Sequence, residues 1–391
     1  MSESPASIFN AGPMSDVRDP YPMFAEMRRT QPVCRIEIPN RTIFLVLRYD
    51  DVTHVLKHPD TFTSAVMRDV MGPVMGRTIL EMDGRSHTVH RGLVAHAFRP
   101  QAIERWAQEL VEPVVDELVG RLEKKPGRAE LVADLTSHYP IVIISRMIGI
   151  PAADYQQFQK WSLDIVSYRP EVPDAGLAAS RALKDYLRPV LEERRRRPEH
   201  DLLSELLAAA VEGHKLTDDE IFGFVLLLLP AGAETTFRLL GNLLYALLKH
   251  PDALEEVRTN RGELGWALEE TLRWETPLIG TARRAEKDTT LRGVDIPAGS
   301  MVSVMLGPAN RDPDHYPDPD RYDIHRRADD HLSFGLGKHF CLGYHLARLE
   351  VLTAVNALLD RLPNLRLDES EECWIQGVSF RSPNRLPILF G

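Results

Sequence analysis

The chain has 391 residues, of which 43% are hydrophobic and 27% charged, with a formal net charge of −10. This composition supports a large buried core, and the negative charge argues against nucleic acid or an anionic membrane surface as a partner. Three cysteines, Cys34, Cys341 and Cys373, form no even-numbered disulfide framework, which favours a reducing, cytoplasmic location. The amino-terminal sequence lacks the basic and apolar regions of a secretory signal, so we expect neither a signal peptide nor a membrane anchor.

Hydrophobic periodicity predicts a mainly α-helical chain with a minor β-sheet. Helices are predicted at residues 20–29, 50–57, 86–97, 101–124, 136–148, 152–167, 175–197, 200–212, 218–249, 252–259, 264–275 and 342–360. Strands are predicted at 33–38, 42–47, 280–285, 290–294 and in the carboxy-terminal tail, with a loop at 59–84. We expect a single domain over residues 1–391, because no Ser/Gly linker, low-complexity tract or internal repeat divides the chain.

The first candidate binding residues in chain order are His87 and Arg91, four positions apart in a predicted helix. On a helix they share one face and can both reach a single anionic group. The alternative is an ordinary solvated face of the helix.

The long apolar helix predicted at 218–249 is interrupted by the segment Pro230–Thr236. Proline removes a helical hydrogen bond, and glycine weakens a helix by about 1 kcal/mol. A carboxylate such as Glu234 in an apolar run is costly unless it is paired or used, and Glu234 and Arg238 together argue against a membrane span. The pattern indicates either a functional opening of the helix or a kink without function.

Glu270 and Arg273 lie one helical turn apart in the next predicted helix. An i,i+3 ion pair is usually a surface feature worth a few tenths of a kcal/mol, so its spacing alone assigns no function.

Cys341 lies in a glycine-rich loop, Phe334–Gly343, directly before the last predicted helix. Helix amide groups stabilise a thiolate, and the glycines allow backbone amides to approach the sulfur. This arrangement suits a thiolate presented to a metal, with haem iron as the best match. An isolated cysteine would more often be an inert buried side chain.

The positions Phe334, Gly337, Cys341 and Gly343 match the Phe-x-x-Gly-x-x-x-Cys-x-Gly loop, so the chain resembles the cytochrome P450 (haem-thiolate) monooxygenases of the soluble bacterial type. The resemblance implies that Cys341 ligates the iron of haem b. It assigns other residues to the haem environment: His87, Arg91, Arg283 and His339 at the propionates, and Ala231, Phe334, Gly335, Gly337 and Gly343 around the ring and loop.

The resemblance also gives roles to the interrupted helix and the ion pair. Thr235 is expected to contact dioxygen, and Glu234 to help deliver protons. Glu270 and Arg273 are expected to form a structural pair, completed by the segment around residues 320–322, that supports the cysteine loop.

The substrate is expected to be a lipophilic small molecule, because the segments that line the pocket in this family are largely apolar here. The residues expected to line it are Met67, Met71, Met75, Leu227, Leu228, Leu278, Ile279 and Val378. A methionine cluster is also common in ordinary cores. Arg68 and Arg77 could anchor a substrate carboxylate but are more often solvated loop residues.

Three functions are compared. The leading one is an O2-dependent monooxygenase that receives electrons from a separate ferredoxin and its reductase, with Arg99, Arg105, Lys338 and Arg348 as docking candidates. The second is a peroxide-dependent enzyme, whose relatives carry arginine and proline where this chain has Glu234 and Thr235. The third is a non-enzymatic haem sensor or carrier, which retention of both residues disfavours.

Overall fold

Helices make up most of the chain in the computed structural model, which describes residues 16–38, 41–168 and 173–391. The amino-terminal segment, in which the sequence predicts neither signal nor anchor, lies mostly outside these residues. The helices are α1 Tyr21–Thr30, α2 Tyr49–Lys57, α3 Val66–Val70, α4 Gly72–Met75, α5 Gly84–Ala95, α6 Pro100–Trp106, α7 Glu112–Leu122, α8 Tyr139–Ile148, α9 Tyr155–Val166, α10 Asp174–Arg196, α11 Leu202–Ala208, α12 Asp218–Leu228, α13 Thr235–Lys249, α14 Pro251–Thr259, α15 Leu264–Trp274, α16 Leu306–Ala309 and α17 Tyr344–Arg361.

The strands are short and form small sheets, so the predicted mainly helical class is confirmed. They are β1 Val33–Ile38, β2 Arg41–Val46, β3 Phe62–Thr63, β4 Arg128–Glu130, β5 Thr281–Ala285, β6 Thr289–Leu291, β7 Val294–Ile296, β8 Met301–Val304, β9 Arg366–Leu367, β10 Ile375–Gln376, β11 Ser382–Pro383 and β12 Pro387–Leu389. The largest sheet has the order β1-β2-β8-β5-β3, in which only the β2-β8 pair is parallel. The three-stranded sheet β4-β12-β9 joins the carboxy terminus to the segment after α7.

The prediction of a loop at 59–84 was wrong in part, because this segment contains β3, α3 and α4. These elements are too short for hydrophobic periodicity to reveal. They form because the tertiary structure supports them: β3 pairs with β5, and the backbone carbonyls of Met75 and Arg77 pack against Gly223 of α12. A Cβ at Gly223 would lie 2.9 Å from the Arg77 carbonyl oxygen, so glycine is required for this close approach.

Some predicted boundaries also differ from the structure. The helices predicted at 101–124 and 218–249 are each interrupted by a π-helical turn, at Ala107–Val111 and Leu229–Glu234. The strand predicted at 290–294 is a hairpin formed by β6 and β7, and β8 was not predicted. Strand β8 is four residues long and is held by hydrogen-bonded neighbours on both sides, so its stability comes from pairing rather than from its own sequence pattern.

The α12–α13 helix runs through the main hydrophobic core. It begins with a capping box, in which the Thr217 hydroxyl accepts a hydrogen bond from the Glu220 amide and the Glu220 carboxylate accepts one from the Thr217 amide. Residues 218–249 are apolar and long enough to cross a membrane by composition alone, but 72% of the most apolar window is buried inside the protein. This segment is therefore accounted for as a core helix.

The carboxy-terminal hairpin β10–β11 is fixed by a buried carboxylate that follows α15. Glu275 accepts hydrogen bonds from the Tyr21 hydroxyl (3.0 Å) and from Nε of Arg381 (2.6 Å). Arg381 also donates to the Gly377 carbonyl oxygen (2.7 Å). The α1 helix, the end of α15 and the hairpin are thus joined by one network of buried charged and polar groups, whose partners are needed to offset the cost of burying the charges.

Candidate active site

The cysteine loop has a backbone that depends on two glycines. Gly335 and Gly337 have φ angles of 71° and 74°, in the left-handed region that favours glycine, and a Cβ at Gly337 would lie 2.9 Å from the Leu56 carbonyl oxygen. The Cys341 amide donates to the Phe334 carbonyl oxygen (2.8 Å), which closes the loop directly before α17. The loop therefore presents the Cys341 thiol in a fixed position.

Burial raises the pKa of the Cys341 thiol above its ordinary value, while the Gly343 amide and the charges of Arg91 and Arg348 act in the opposite direction. A cationic metal at the sulfur would add the missing stabilisation of the thiolate, because coordination deprotonates a thiol. The loop is also open at Gly343, since a Cβ there would meet no atom within 4 Å.

A charged cluster that the sequence did not reveal, formed by Glu269, His331 and Arg348, supports the cysteine loop. Glu269 accepts two hydrogen bonds from Arg348, at 2.6 and 2.7 Å, and lies 3.0 Å from Nε2 of His331. The Arg348 guanidinium lies 4.5 Å from the centroid of the Phe334 ring. Burial alone would raise the pKa of Glu269, but the hydrogen bonds from His331 and Arg348 outweigh it and lower the pKa to about 2. The only hint in the sequence was that Glu269 adjoins Glu270.

We expect Glu269→Gln to loosen the cysteine loop, because it removes the charged partner of Arg348 and costs about 1–3 kcal/mol for hydrogen bonds to a charged group. In the haem-loaded, reduced, carbon monoxide-bound protein, the absorption band of thiolate ligation should decay faster on mild heating than in the wild type. Glu263→Gln is the matched control, because Glu263 pairs with Arg327 on an exposed surface. Equal decay rates in wild type and Glu269→Gln would contradict the supporting role.

The structure brings together the four residues predicted at the propionates. The rings of His87 and His339 lie 4.2 Å apart, and Nε2 of His339 contacts the Asp83 carboxylate (3.1 Å) and the Ser64 hydroxyl (3.0 Å). Asp83 also acts electrostatically on His87 and on Arg283 of β5. Asp83 and Ser64 were not found from the sequence, because they belong to the segment predicted as a loop.

These residues fit the anionic edge of a haem. His87 is 2% exposed, yet its Nε2 has no hydrogen-bond partner in the described structure. Burial, with the neighbouring His339 and Arg91, lowers the pKa of His87 to about 4, and burial lowers the pKa of Arg283. A pair of carboxylates placed here would supply the missing partner and favour the charged forms of these groups.

Arg91 lies between this cluster and the cysteine loop. Its Nη2 donates to the Phe340 carbonyl oxygen at 2.6 Å, one residue before Cys341. Arg91 therefore stabilises the loop in addition to any contact with a bound group.

We expect Arg283→Ala to release haem faster than the wild type, because a partly buried carboxylate would lose a charged hydrogen bond. The loss of about 1–3 kcal/mol corresponds to about 5- to 150-fold in equilibrium haem affinity. Haem transfer to apomyoglobin measures the release. Arg284→Ala is the matched control, since Arg284 is the next residue of β5 but pairs with Asp69 outside this cluster. Transfer from Arg283→Ala at the control rate would exclude the propionate role.

The long helix opens at its interrupted segment. The π-helical turn Leu229–Glu234 separates α12 from α13, and the Thr235 hydroxyl donates to the Ala231 carbonyl oxygen at 2.6 Å. Ala231 is exposed and Thr235 half-buried in a helix that is otherwise mostly buried, so both face open space. Because the hydroxyl proton is used in the bond to Ala231, the Thr235 oxygen is free to accept a hydrogen bond from a bound molecule.

Glu234 is buried and forms an ion pair with Arg238, whose Nη2 lies 2.8 Å from its carboxylate oxygen. The acid expected to deliver protons is therefore held by a cation on the next turn of the helix. The sequence contained both residues but did not predict that they pair.

Glu270 and Arg273 form a fully buried pair with two hydrogen bonds of 2.8 Å. Arg273 also donates to the carbonyl oxygens of Pro319 and Arg321, and Glu270 accepts from the Asp323 amide. The pair thus joins α15 to the irregular segment that leads to the cysteine loop.

The residues expected to line the substrate pocket lie in four places. Met67, Met71 and Leu278 are half-buried, and the other side chains are buried. Met75, Leu227 and Leu228 belong to the main core, Val378 is in the turn of the carboxy-terminal hairpin, and Leu278 pairs with Phe380 of the same turn. Ile279 packs with Phe24, Leu45 and Met305 in a separate cluster beside the large sheet.

The four docking candidates differ in their exposure. Arg105 pairs with Glu205 and Arg348 with Glu269, so both are engaged in ion pairs. Arg99 and Lys338 are exposed. The sequence could not distinguish the exposed candidates from the ion-paired ones, because the carboxylate partners of Arg105 and Arg348 lie far away along the chain.

The fold and the cysteine loop together define the class of haem-thiolate proteins. A sequence model of the cytochrome P450 family matches residues 4–372. The cytochrome P450 monooxygenase PikC of Streptomyces venezuelae is 38% identical over 380 residues, which cover 95% of this chain and 91% of that protein. The chain belongs to the cytochrome P450 family and is a P450 monooxygenase of the bacterial kind, in a family that binds haem through a cysteine thiolate.

Solved structures are similar over nearly the whole chain. Cytochrome P450 CYP109Q5 from Chondromyces apiculatus is 36% identical with a TM-score of 0.87, and 95% of each chain is covered. CYP109E1 from Bacillus megaterium, in complex with testosterone, is 32% identical with a TM-score of 0.85, over 95% of this chain and 98% of that chain.

Proposed function

We propose that this chain uses haem b, ligated by Cys341, to insert one oxygen atom of O2 into a lipophilic small molecule by hydroxylation or a related oxidation. When bound, the haem would activate dioxygen for oxidation of the substrate, with electrons from an external donor. The observation that carries the proposal is the Thr235 hydroxyl bonded to the Ala231 carbonyl at the opening of the long helix. A helix used only for packing has no need of this π-helical turn, in which i→i+5 hydrogen bonds replace the regular i→i+4 bonds.

The chain's own residues have separate tasks in this proposal. Thr235 would offer its hydroxyl oxygen as a hydrogen-bond acceptor, Glu234 would help deliver protons, and the apolar side chains around Leu228 and Val378 would exclude water. His87, Arg91, Arg283 and His339 hold the propionates. A lipophilic substrate is supported by the apolar character of these walls and by the testosterone bound in one similar structure.

Electrons are proposed to come from a separate ferredoxin and its reductase in the cytoplasm, because bacterial members of the family take their electrons from redox partners. Arg99 and Lys338 are the better docking candidates, since Arg105 and Arg348 already have carboxylate partners. A peroxide-dependent reaction is the second candidate. It is disfavoured by the presence of Glu234 and Thr235 in place of arginine and proline.

Turnover tests the proposal. Lipophilic compounds are screened for the change in haem absorption that accompanies displacement of water from the iron, and those that bind are incubated with NADH and a surrogate ferredoxin system. We expect an oxidised product that carries one atom of 18O from labelled O2. Product formed only when hydrogen peroxide is supplied would favour the peroxide-dependent enzyme, and no product from any tightly bound compound would favour a carrier.

A further inference from the structure

Glu234 is part of a chain of buried contacts that extends beyond its own helix. Oε2 of Glu234 accepts hydrogen bonds from Nε (3.2 Å) and Nη2 (2.8 Å) of Arg238. The side chains are only 7% and 3% exposed, so neither charge is solvated in the usual way. The two residues are four positions apart, so the helical backbone already places their side chains next to each other.

Arg238 also reaches the carboxy-terminal hairpin. Its Nη1 donates to the Ser382 hydroxyl at 2.9 Å. On the same face of α13, Gly241 packs against Pro383, whose Cδ lies 3.3 Å from the position that a Cβ on Gly241 would take. The Asn242 side chain donates to the Arg381 carbonyl oxygen at 3.2 Å. Positions 238, 241 and 242 therefore attach strand β11 to one face of α13.

The turn of this hairpin requires glycine at position 377 and lies at the expected substrate wall. Gly377 has a φ angle of 110°, and a Cβ there would come within 1.9 Å of the Phe380 carbonyl oxygen. Phe380 pairs with Leu278, and the Ile279 amide donates to the Ser379 carbonyl oxygen at 2.9 Å. The centroid of the Phe380 ring is 5.4 Å from the Arg238 guanidinium. The turn that carries Val378 and Phe380 thus contacts Arg238, the residue that pairs with Glu234.

We propose that Arg238 is a positioning residue that links the orientation of Glu234 to the turn 377–380, so that a ligand held against this turn and the placement of the acid depend on each other. The inference deepens the proposed function, on which the role of Glu234 rests. The forked guanidinium is suited to this task, because it can bind the carboxylate on one side and the Ser382 hydroxyl on the other. A lysine could keep the ion pair but could not make both contacts.

The test is a double-mutant cycle on ligand binding in the haem-loaded protein. The probe is 4-phenylimidazole, whose nitrogen binds haem iron and whose phenyl ring occupies the distal pocket, and its dissociation constant is read from the change in haem absorption. Ser382→Ala removes one hydrogen bond and should weaken binding about threefold, within the range expected for one such bond. Arg238→Lys should give the same loss, and adding Ser382→Ala to it should cause no further change.

Glu234→Gln should also weaken binding, and the double variant with Ser382→Ala should be no weaker than the more affected single variant, because both act through Arg238. Tyr155→Phe is the matched control. It removes another hydroxyl that accepts a hydrogen bond from an arginine, Arg146 (3.3 Å), at a site between α8 and α9, and it should bind the probe as the wild type does.

Independent, multiplying losses for Glu234→Gln and Ser382→Ala would overturn the inference, as would wild-type affinity in Ser382→Ala and Arg238→Lys. Binding of this probe requires bound haem but not turnover. Failure of the link is therefore distinguishable from failure of the proposed function, which would appear as wild-type protein that forms no product.

Discussion

Replacing Cys341 by serine should abolish the strongly red-shifted Soret band that the reduced protein shows with carbon monoxide. Only thiolate ligation produces this band. Serine preserves the shape of the loop between Gly337 and Gly343, but it has no sulfur and cannot supply a thiolate. The measurement is the carbon monoxide difference spectrum of purified protein, together with its haem b content, which should be stoichiometric in the wild type.

Cys34→Ser and Cys373→Ser are the controls for this variant. Cys34 is buried in β1, 3.6 Å from the side-chain oxygen of Gln31, and burial raises the pKa of both thiols. Both variants should keep the band. A band that survives in Cys341→Ser and disappears in either control would show that the ligand had been assigned to the wrong residue.

Thr235→Ala should divert reducing equivalents from product to hydrogen peroxide while leaving ligand binding and NADH consumption nearly unchanged. Oxidation of a substrate by O2 requires two protons delivered in a controlled order, and the Thr235 oxygen is held as a hydrogen-bond acceptor by its 2.6 Å bond to Ala231. Alanine removes this acceptor. Loss of one contact that acts only during the reaction commonly costs about 10²–10³ in rate, so a large fall in coupling is expected.

The ratio of product and peroxide to NADH consumed measures this effect with a verified substrate and a surrogate ferredoxin system. Thr236→Val is the control, since Thr236 is the next residue but is buried in the helix. Glu234→Gln should differ in kind, because slower proton delivery lowers total turnover. Wild-type coupling in Thr235→Ala would remove the threonine from the mechanism.

The large sheet and the loop before α5 illustrate where sequence patterns are insufficient. Periodicity located the long helices to within a few residues, because each amphipathic helix carries its own signal. It missed α3, α4 and β8, which are short and are stabilised by neighbours distant in sequence. It also missed the π-helical turns, although the unusual segment Pro230–Thr236 marked the position of one of them.

The sequence by itself determined the features whose chemistry is local. The glycines and Cys341 lie within ten residues, so their order sets both the loop backbone and the position of the thiol, and the spacing of Glu270 and Arg273 sets their pairing within one helix. The tertiary structure decided the partners: His339 meets Asp83 from 256 positions away, Arg348 meets Glu269 across 79, and Arg238 meets Ser382 across 144. The physical reason is that a buried charge takes whichever partner the packing brings within hydrogen-bond distance, and that distance depends on the folded path of the whole chain rather than on the residues beside it.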